Sequence, residues 1–258
     1  MANERPTHLG VAFDRSLTTS FRNRIYPAYK AQRVLPPPEL EAQLRACEEV
    51  AAALGAATFI DDLYEADDLI GTLCARLERG GHGAVVVTSD KDMAQLVSER
   101  VSLYDFGKGA RQTAAEVEAK LGVRPDQVAD LLGLAGDPVD NIPGVPGVGR
   151  KTAAALLQAF GHLDDVYARL AEVARAKAIR GGVALAERLA AHRDLAFLSK
   201  ELATVARDAP VTADLDDLEY RGADREAVDE IFDRMAFGRI RSRVPLWRQE
   251  TAERRGGA

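Results

Sequence analysis

The sequence predicts an α/β domain built on a mostly parallel sheet, followed by an all-helical domain. Three observations carry this. Up to about residue 110, short β-friendly runs alternate with segments of helical apolar spacing, as in strands joined by crossover helices. Ala84–Thr88, AVVVT, is a continuous apolar run, which predicts a strand buried on both faces. From Thr113 onward only helical periodicity is found, broken at Gly122, Gly136, the 143–149 turn and Gly161.

The elements follow in order. His8–Asp14, HLGVAFD, is mostly apolar and β-friendly and predicts a first strand. A polar, Arg-rich stretch, 15–33, comes next, and three prolines, 36–38, then open a helix over Glu39–Leu54. Leu40, Leu44, Cys47, Val50, Ala51 and Leu54 fall on one side of that helix and predict a buried face, ended by Gly55. A strand over Ala57–Ile60, a helix from Ala66 to Gly80-Gly81 and a strand over Val101–Tyr104 complete the α/β part. The predicted division is 1–110 for the α/β core, 111–240 for the helical domain and 241–258 for a polar tail.

Composition narrows the function classes. With 258 residues, 47% of them hydrophobic and 29% charged, the chain can bury a core and is neither collagen-like nor disordered. A net charge of −6 argues against a surface that is basic throughout, though not against local basic clusters. Two cysteines, Cys47 and Cys74, cannot form a disulfide framework. Both fall on apolar helix faces, so buried thiols in a reducing compartment are expected. No apolar run reaches the roughly 18–20 residues that span a bilayer, and no signal peptide opens the chain. A cytoplasmic protein without a membrane partner is the expectation.

Acidic residues gather where predicted strands end. Asp14 closes the first strand; Glu65, Asp67 and Asp68 open the helix after the second; Asp90 and Asp92 follow the third. In an open α/β sheet, ligands bind outside the carboxyl ends of the strands. Each group has a plainer reading: the first-turn acids complement the helix dipole, and TSDKD suits a turn. Together they predict a site for hard divalent cations, which prefer oxygen donors. Two such ions can bind a phosphodiester, activate water and stabilise the leaving oxygen. Asp137 and Asp140 add an acidic pair in the helical domain, whose plainer reading is again a turn.

Immediately after it runs NIPGVPGVGRKT, leading into an Ala/Leu helix. Gly144, Gly147 and Gly149 permit positive φ and close backbone approach. With Val145 between them and Arg150, Lys151 and Thr152 as added donors, this predicts an anion-binding hairpin at a helix N-terminus. The plainer reading is a tight helix–helix turn. It is not a Walker loop, since no strand precedes it and GKS/T is absent. It suits a duplex sugar-phosphate backbone, where contacts position rather than specify.

FDRSLTTSFRNRIYPAYKAQR, YEADD, TSDKD and GDPVDNIPGVPGVGRKTAAALL resemble, in this order, the 5′-nuclease (flap endonuclease) family. The chain is most similar to the 5′→3′ exonuclease domain found in bacterial DNA polymerases, over nearly its whole length. The resemblance implies a PIN-like core with an arch at about 15–40 and a helix–three-turn–helix DNA-binding element at about 136–160. It implies metal-ligand roles for Asp14, Glu65, Asp67, Asp68, Asp90, Asp92, Asp137 and Asp140. Arg22, Lys30 and Arg33 match basic residues that hold the scissile phosphate, and Gly144–Lys151 match the duplex-gripping element. Two Mg²⁺ or Mn²⁺ ions and a K⁺ at the hairpin are implied. The implied partners are DNA with 5′ flaps, nicks, gaps or 5′ ends, and functionally a DNA polymerase; a monomer is expected.

One departure accompanies this likeness. The family begins with a strand ending in Asp-Gly inside the sheet, and that aspartate is a metal ligand. Here the sequence starts just before HLGVAFD, so that strand and ligand are not matched. Two function classes follow: a metal-dependent 5′→3′ exonuclease and 5′-flap endonuclease of replication and repair, or a flap- and duplex-binding protein with weak or no cleavage. An RNA-cleaving relative is a third, disfavoured by the glycine hairpin.

Overall fold

The structure, a computed structural model, describes residues 6–15, 18–176, 179 and 181–248. Along the chain, β1 (Gly10–Asp14), α1 (Phe21–Ile25), α2 (Pro38–Ala53), β2 (Ala57–Asp61) and α3 (Ala66–Arg79) come first. Then follow β3 (Ala84–Val87), β4 (Val101–Asp105), β5 (Ala110–Gln112), α4 (Ala114–Leu121), α5 (Val128–Ala135) and α6 (Arg150–Phe160). The last are α7 (Leu163–Ala168), α8 (Leu170–Arg175), α9 (Gly182–Ala191), α10 (Arg193–Ala203) and α11 (Arg225–Arg234). Contacts gather into two units. One comprises Met1–Ser16, Val34–Leu69 and Asp208–Ala258; the other comprises Leu17–Arg33 and Ile70–Arg207. The stretch expected as one α/β block, 1–110, is therefore shared between both units.

In the first unit β1 pairs in parallel with β2, and the register sets Asp14 opposite Asp61. Pro38 at the start of α2 fixes a helical φ where no amide partner is needed. The C-terminal half of α2 packs through Val50, Ala53 and Leu54 against Val228, Ile231 and Phe232 of α11. The expected buried face of α2 fails in its first half. Leu40 and Leu44 are 43% and 50% exposed, and Cys47 is exposed, whereas Cys74 is buried as expected. The contact with α11 reaches only the last turns of α2, so amphipathic spacing there outruns its partner. Part of the expected tail is also structured: Trp247 packs on the α2–α11 cluster, with the Arg225 guanidinium 4.1 Å from its ring centre. Residues 249–258 of that expectation lie outside the described residues.

In the second unit β3 pairs in parallel with β4, and β5 pairs antiparallel to β4. The single, mostly parallel sheet expected from the sequence is thus two sheets, one of them mixed. β5 was hidden by its length; it returns through a tight turn in which Asp105 accepts the Lys108 amide and Gly109 takes φ +63°. AVVV is not buried on both faces. Val86 is 6% exposed, while Val85 and Val87 are 43% and 63% exposed. An all-apolar run cannot reveal that only one of its faces meets the core.

That core centres on α5, apolar except for Asp130, with Leu131, Leu132 and Leu134 buried. At Gly133 a Cβ would lie 2.9 Å from the Lys200 Cβ and 3.1 Å from the Ala196 carbonyl oxygen, so glycine permits the close approach of α10. Asp130, 1% exposed, is met by Lys200 Nζ at 2.7 Å and His162 Nδ1 at 2.7 Å. Burial alone would lower the Lys200 pKa, but its hydrogen bond to Asp130 and that carboxylate's charge hold it above its usual value. Removing one partner of a buried pair strands the other. Lys200→Met should lower the unfolding free energy by about 3 kcal/mol in urea titrations, and Lys200→Arg by clearly less.

Candidate active site

Each unit carries four of the eight singled-out carboxylates. In the first, Asp14 ends β1, and its Oδ1 accepts the N–H of Ala66, the first residue of α3, at 2.8 Å. Asp68 is fully buried and accepts the Glu65 amide at 3.1 Å. Glu65 is buried and Asp67 half-buried in the same first turn. These acids sit where a helix presents unpaired amides and its positive dipole end. Sequence reasoning passed over Asp61, whose Oδ1 accepts the amides of Leu63 and Tyr64 at 2.7 and 2.9 Å. The signal was there: an aspartate ending a strand before a short turn.

The second unit holds Asp90, Asp92, Asp137 and Asp140. Asp90 accepts the Asp92 amide at 2.8 Å, and Asp92 opens a 3-10 turn anchored by the buried Met93 and Leu96. Asp137, 1% exposed, exchanges backbone hydrogen bonds with Ile142 at 2.9 and 2.8 Å, closing the 137–142 loop. Its Oδ1 accepts the Val139 amide at 2.8 Å; its Oδ2 faces Lys91 Nζ at 2.6 Å and an Arg150 nitrogen at 3.5 Å. Asp140 receives Arg33 and lies 3.8 Å from Lys30 Nζ. The 26–33 turn docks on this loop: the Lys30 amide donates to the Asp140 carbonyl at 3.0 Å, and Asn141 Nδ2 donates to the Ala28 carbonyl at 2.6 Å. Lys30 adopts φ +53°, a conformation rare for a side-chain-bearing residue.

Arg22 stands apart from its two expected companions. It is 3% exposed, and its guanidinium donates to the carbonyls of Leu202 and Thr204 at 2.8 and 2.7 Å, capping the end of α10. Its position supports a structural role and gives no support to phosphate holding. Nothing in an Arg following a Phe separates the two in sequence.

The hairpin also divides. Gly144 and Gly147 take φ +62° and +75°, but Gly149 is extended at φ −90° as the N-cap of α6, against expectation. A Cβ on Gly144 would lie 2.3 Å from the Gly136 nitrogen, so the loop closes on the end of α5. The amides of Gly144 and Val145 donate to Ser199 Oγ at 2.9 Å and the Leu134 carbonyl at 2.8 Å. Val145, 2% exposed, belongs to the core and not to a nucleic-acid surface. Gly147, Gly149, Arg150 and Lys151 are exposed, and Thr152 is half-buried.

Among the described residues, no three His, Cys, Asp or Glu side chains form a ready-made metal cage. Asp137 and Asp140 are met by amides or by lysine and arginine cations, and Asp14, Asp68 and Asp90 by amides. The donor chemistry of the second unit still fits a hard cation. Burial, offset in part by Lys91 and reinforced by Asp90, Asp137 and Asp140, pushes the Asp92 pKa up to about 6. Burial would raise Asp137 too, but the Lys91 hydrogen bond, the Val139 amide and the charges of Lys91 and Arg150 hold it below the usual value.

An acid whose pKa is raised on folding costs stability once it ionises. Metal-free protein should therefore lose stability, on the order of 2 kcal/mol, as the pH rises from about 4 through 6. Asp137, shifted downward, acts below that window. Asp92→Asn should flatten the profile of Tm against pH in EDTA between 4 and 6.5.

Comparison with known proteins bears on this arrangement. Residues 1–122 match the model of the 5′-3′ exonuclease N-terminal resolvase-like domain, and 123–226 that of the 5′-3′ exonuclease C-terminal SAM fold. DNA polymerase I of Bacillus caldotenax is 43% identical over 92% of this chain and 27% of its own length. That of Mycobacterium leprae (strain TN) is 38% identical over 95% of this chain and 26% of its own. The chain thus spans about a quarter of these relatives. Among solved structures, T5 5′-exonuclease with bound zinc has a TM-score of 0.63 at 20% identity, covering 91% of this chain and 84% of that one. The catalytic core of Rad2 with DNA substrate has a TM-score of 0.51 at 15% identity, covering 94% and 74%. Both likenesses speak to the fold. With the two domain models matched over 1–122 and 123–226, this chain belongs to the 5′-3′ exonuclease family.

Proposed function

We propose that this chain is a divalent-metal-dependent 5′→3′ exonuclease and 5′-flap endonuclease acting on DNA. The observation that carries the reading is the second unit's acidic loop pair. Half-buried Asp92 and buried Asp137 lie 4.0 and 2.6 Å from the same Lys91 ammonium, and the charges of Asp90 and Asp140 act on Asp92 beside them. Asp90, Asp92, Asp137 and Asp140 would hold metal in that unit, and Asp14, Glu65, Asp67 and Asp68 in the other. Mg²⁺ or Mn²⁺, when bound, supplies an activated water and charge stabilisation at the leaving oxygen.

The chain's own residues supply the rest. Lys30 and Arg33, held at Asp140 by the docked 26–33 turn, are placed to meet the charge of a phosphate near the acidic loop. The Lys30 ammonium also lies 5.0 Å from the Tyr29 ring centre, which restricts where it points. At the hairpin, the exposed Gly147, Gly149 and Lys151 offer small and cationic groups to a duplex backbone. A K⁺ bound at the hairpin belongs to the same reading, as does partnership with a DNA polymerase.

A labelled 5′-flap duplex tests it. Cleavage in Mg²⁺ or Mn²⁺, absent in EDTA and lost in Asp90→Asn/Asp92→Asn, is the expected result, with 5′-phosphorylated products. Flap binding without cleavage by the wild-type chain would instead make it a DNA-binding module. Lys151→Glu should weaken duplex binding several-fold at all sequences alike and lower its salt dependence, measured by fluorescence anisotropy.

A further inference from the structure

Lys91 stands between two of the carboxylates just described, and none of the roles above accounts for it. Asp137 is almost fully buried, so its charge needs a cation in every state of the protein. In the structure that cation is the Lys91 ammonium, 2.6 Å from Asp137 Oδ2 and 4.0 Å from Asp92 Oδ1. Arg150 gives a longer contact, 3.5 Å, to the same Asp137 oxygen. The Lys91 side chain is 35% exposed against 2% for that of Asp137. The lysine can therefore swing to water on its flexible stem, while the carboxylate cannot.

We infer that Lys91 is an exchangeable counter-cation: it neutralises Asp137 and Asp92 in the metal-free protein and is displaced when a divalent ion takes that pair. This rests on the metal-site reading above. It is in keeping with the lack of a ready-made cage at these carboxylates among the described residues. An ammonium already lies against the Asp137 oxygen. It also sets a cost on metal binding, because each binding event must break the Lys91 contact. Such coupling is reciprocal.

The test is an Mn²⁺ titration followed by electron paramagnetic resonance, on wild type, Lys91→Met and Lys91→Arg. Lys91→Met should bind Mn²⁺ about tenfold more tightly than wild type, and Lys91→Arg within about threefold of it. Metal-free Lys91→Met should melt several degrees lower and regain more on adding Mn²⁺. A second measurement uses the wild type alone, so it holds if Lys91→Met does not fold. Amine labelling read by mass spectrometry should accelerate at Lys91 several-fold in saturating Mg²⁺ and stay constant at Lys120. Unchanged or weaker Mn²⁺ binding by Lys91→Met, or unchanged or slower labelling of Lys91, overturns the inference while wild-type metal binding stands. Absence of Mn²⁺ binding in both wild type and Lys91→Met overturns the inference and the metal reading together.

Discussion

A buried negative charge organises the second unit. Asp137 sits just past α5, the most apolar of the described helices, with its carboxylate almost wholly withdrawn from water. Everything around it answers that fact. The Val139 amide takes one oxygen; Lys91 from the TSDKD turn and Arg150 from the first turn of α6 take the other. The loop is closed by the Asp137–Ile142 backbone pair, and the 26–33 turn docks on its far end through Asp140 and Asn141. Asp137 and Asp140 of one loop thus hold the 26–33 turn, the TSDKD turn and the first turn of α6 against it. A neutral isostere would keep the shape of the loop and lose the reason for two cations to point at it.

Much of this was legible in the sequence, unevenly. Strand and helix positions followed from period, and the helix stops at Gly122, Gly136 and Gly161 are the C-caps of α4, α5 and α6. Misreadings came where period is silent about neighbours. Leu40, Leu44 and Cys47 repeat as a buried face should, yet only the end of α2 meets α11. Val85 and Val87 are as apolar as Val86, and the sequence has no mark for which side of the strand is covered. At the site, residue types were legible and side-chain destinations were not. Arg22 and Lys30 look alike as basic residues of one polar stretch. One ends beneath the α10 carbonyls and the other beside Asp140, because tertiary partners, not local spacing, decide where a long side chain goes.

The plain and functional readings of the acids turn out to be compatible. Asp14 and Asp68 accept amides at the start of α3, as helix-end charges should, and Asp90 accepts the amide of Asp92 as a turn residue should. A carboxylate has two oxygens and about four acceptor positions. A single amide does not by itself exhaust that capacity. The local bond fixes the side chain in place, which lowers the entropy that metal binding would otherwise have to remove. A turn-forming aspartate is thus a good starting point for a ligand rather than an alternative to one.

The same logic explains how a chain of net charge −6 can belong to the 5′-3′ exonuclease family. Setting aside the eight singled-out carboxylates leaves a mildly basic protein. The acids are placed where cations, lysine and arginine side chains in this structure, already stand against several of them. Asp140 is met by Lys30 and Arg33, and Asp137 by Lys91 and Arg150. When a divalent ion takes over part of that neutralisation, the side chains it releases keep their positive charge. On the function proposed above, metal binding would do two things at one place: remove repulsion between the second unit's acidic loops and a phosphate backbone, and free lysine and arginine cations to meet that backbone. Affinity for the polyanion and assembly of the metal site would then be one linked equilibrium, set by how firmly Lys30, Arg33, Lys91 and Arg150 hold Asp140 and Asp137.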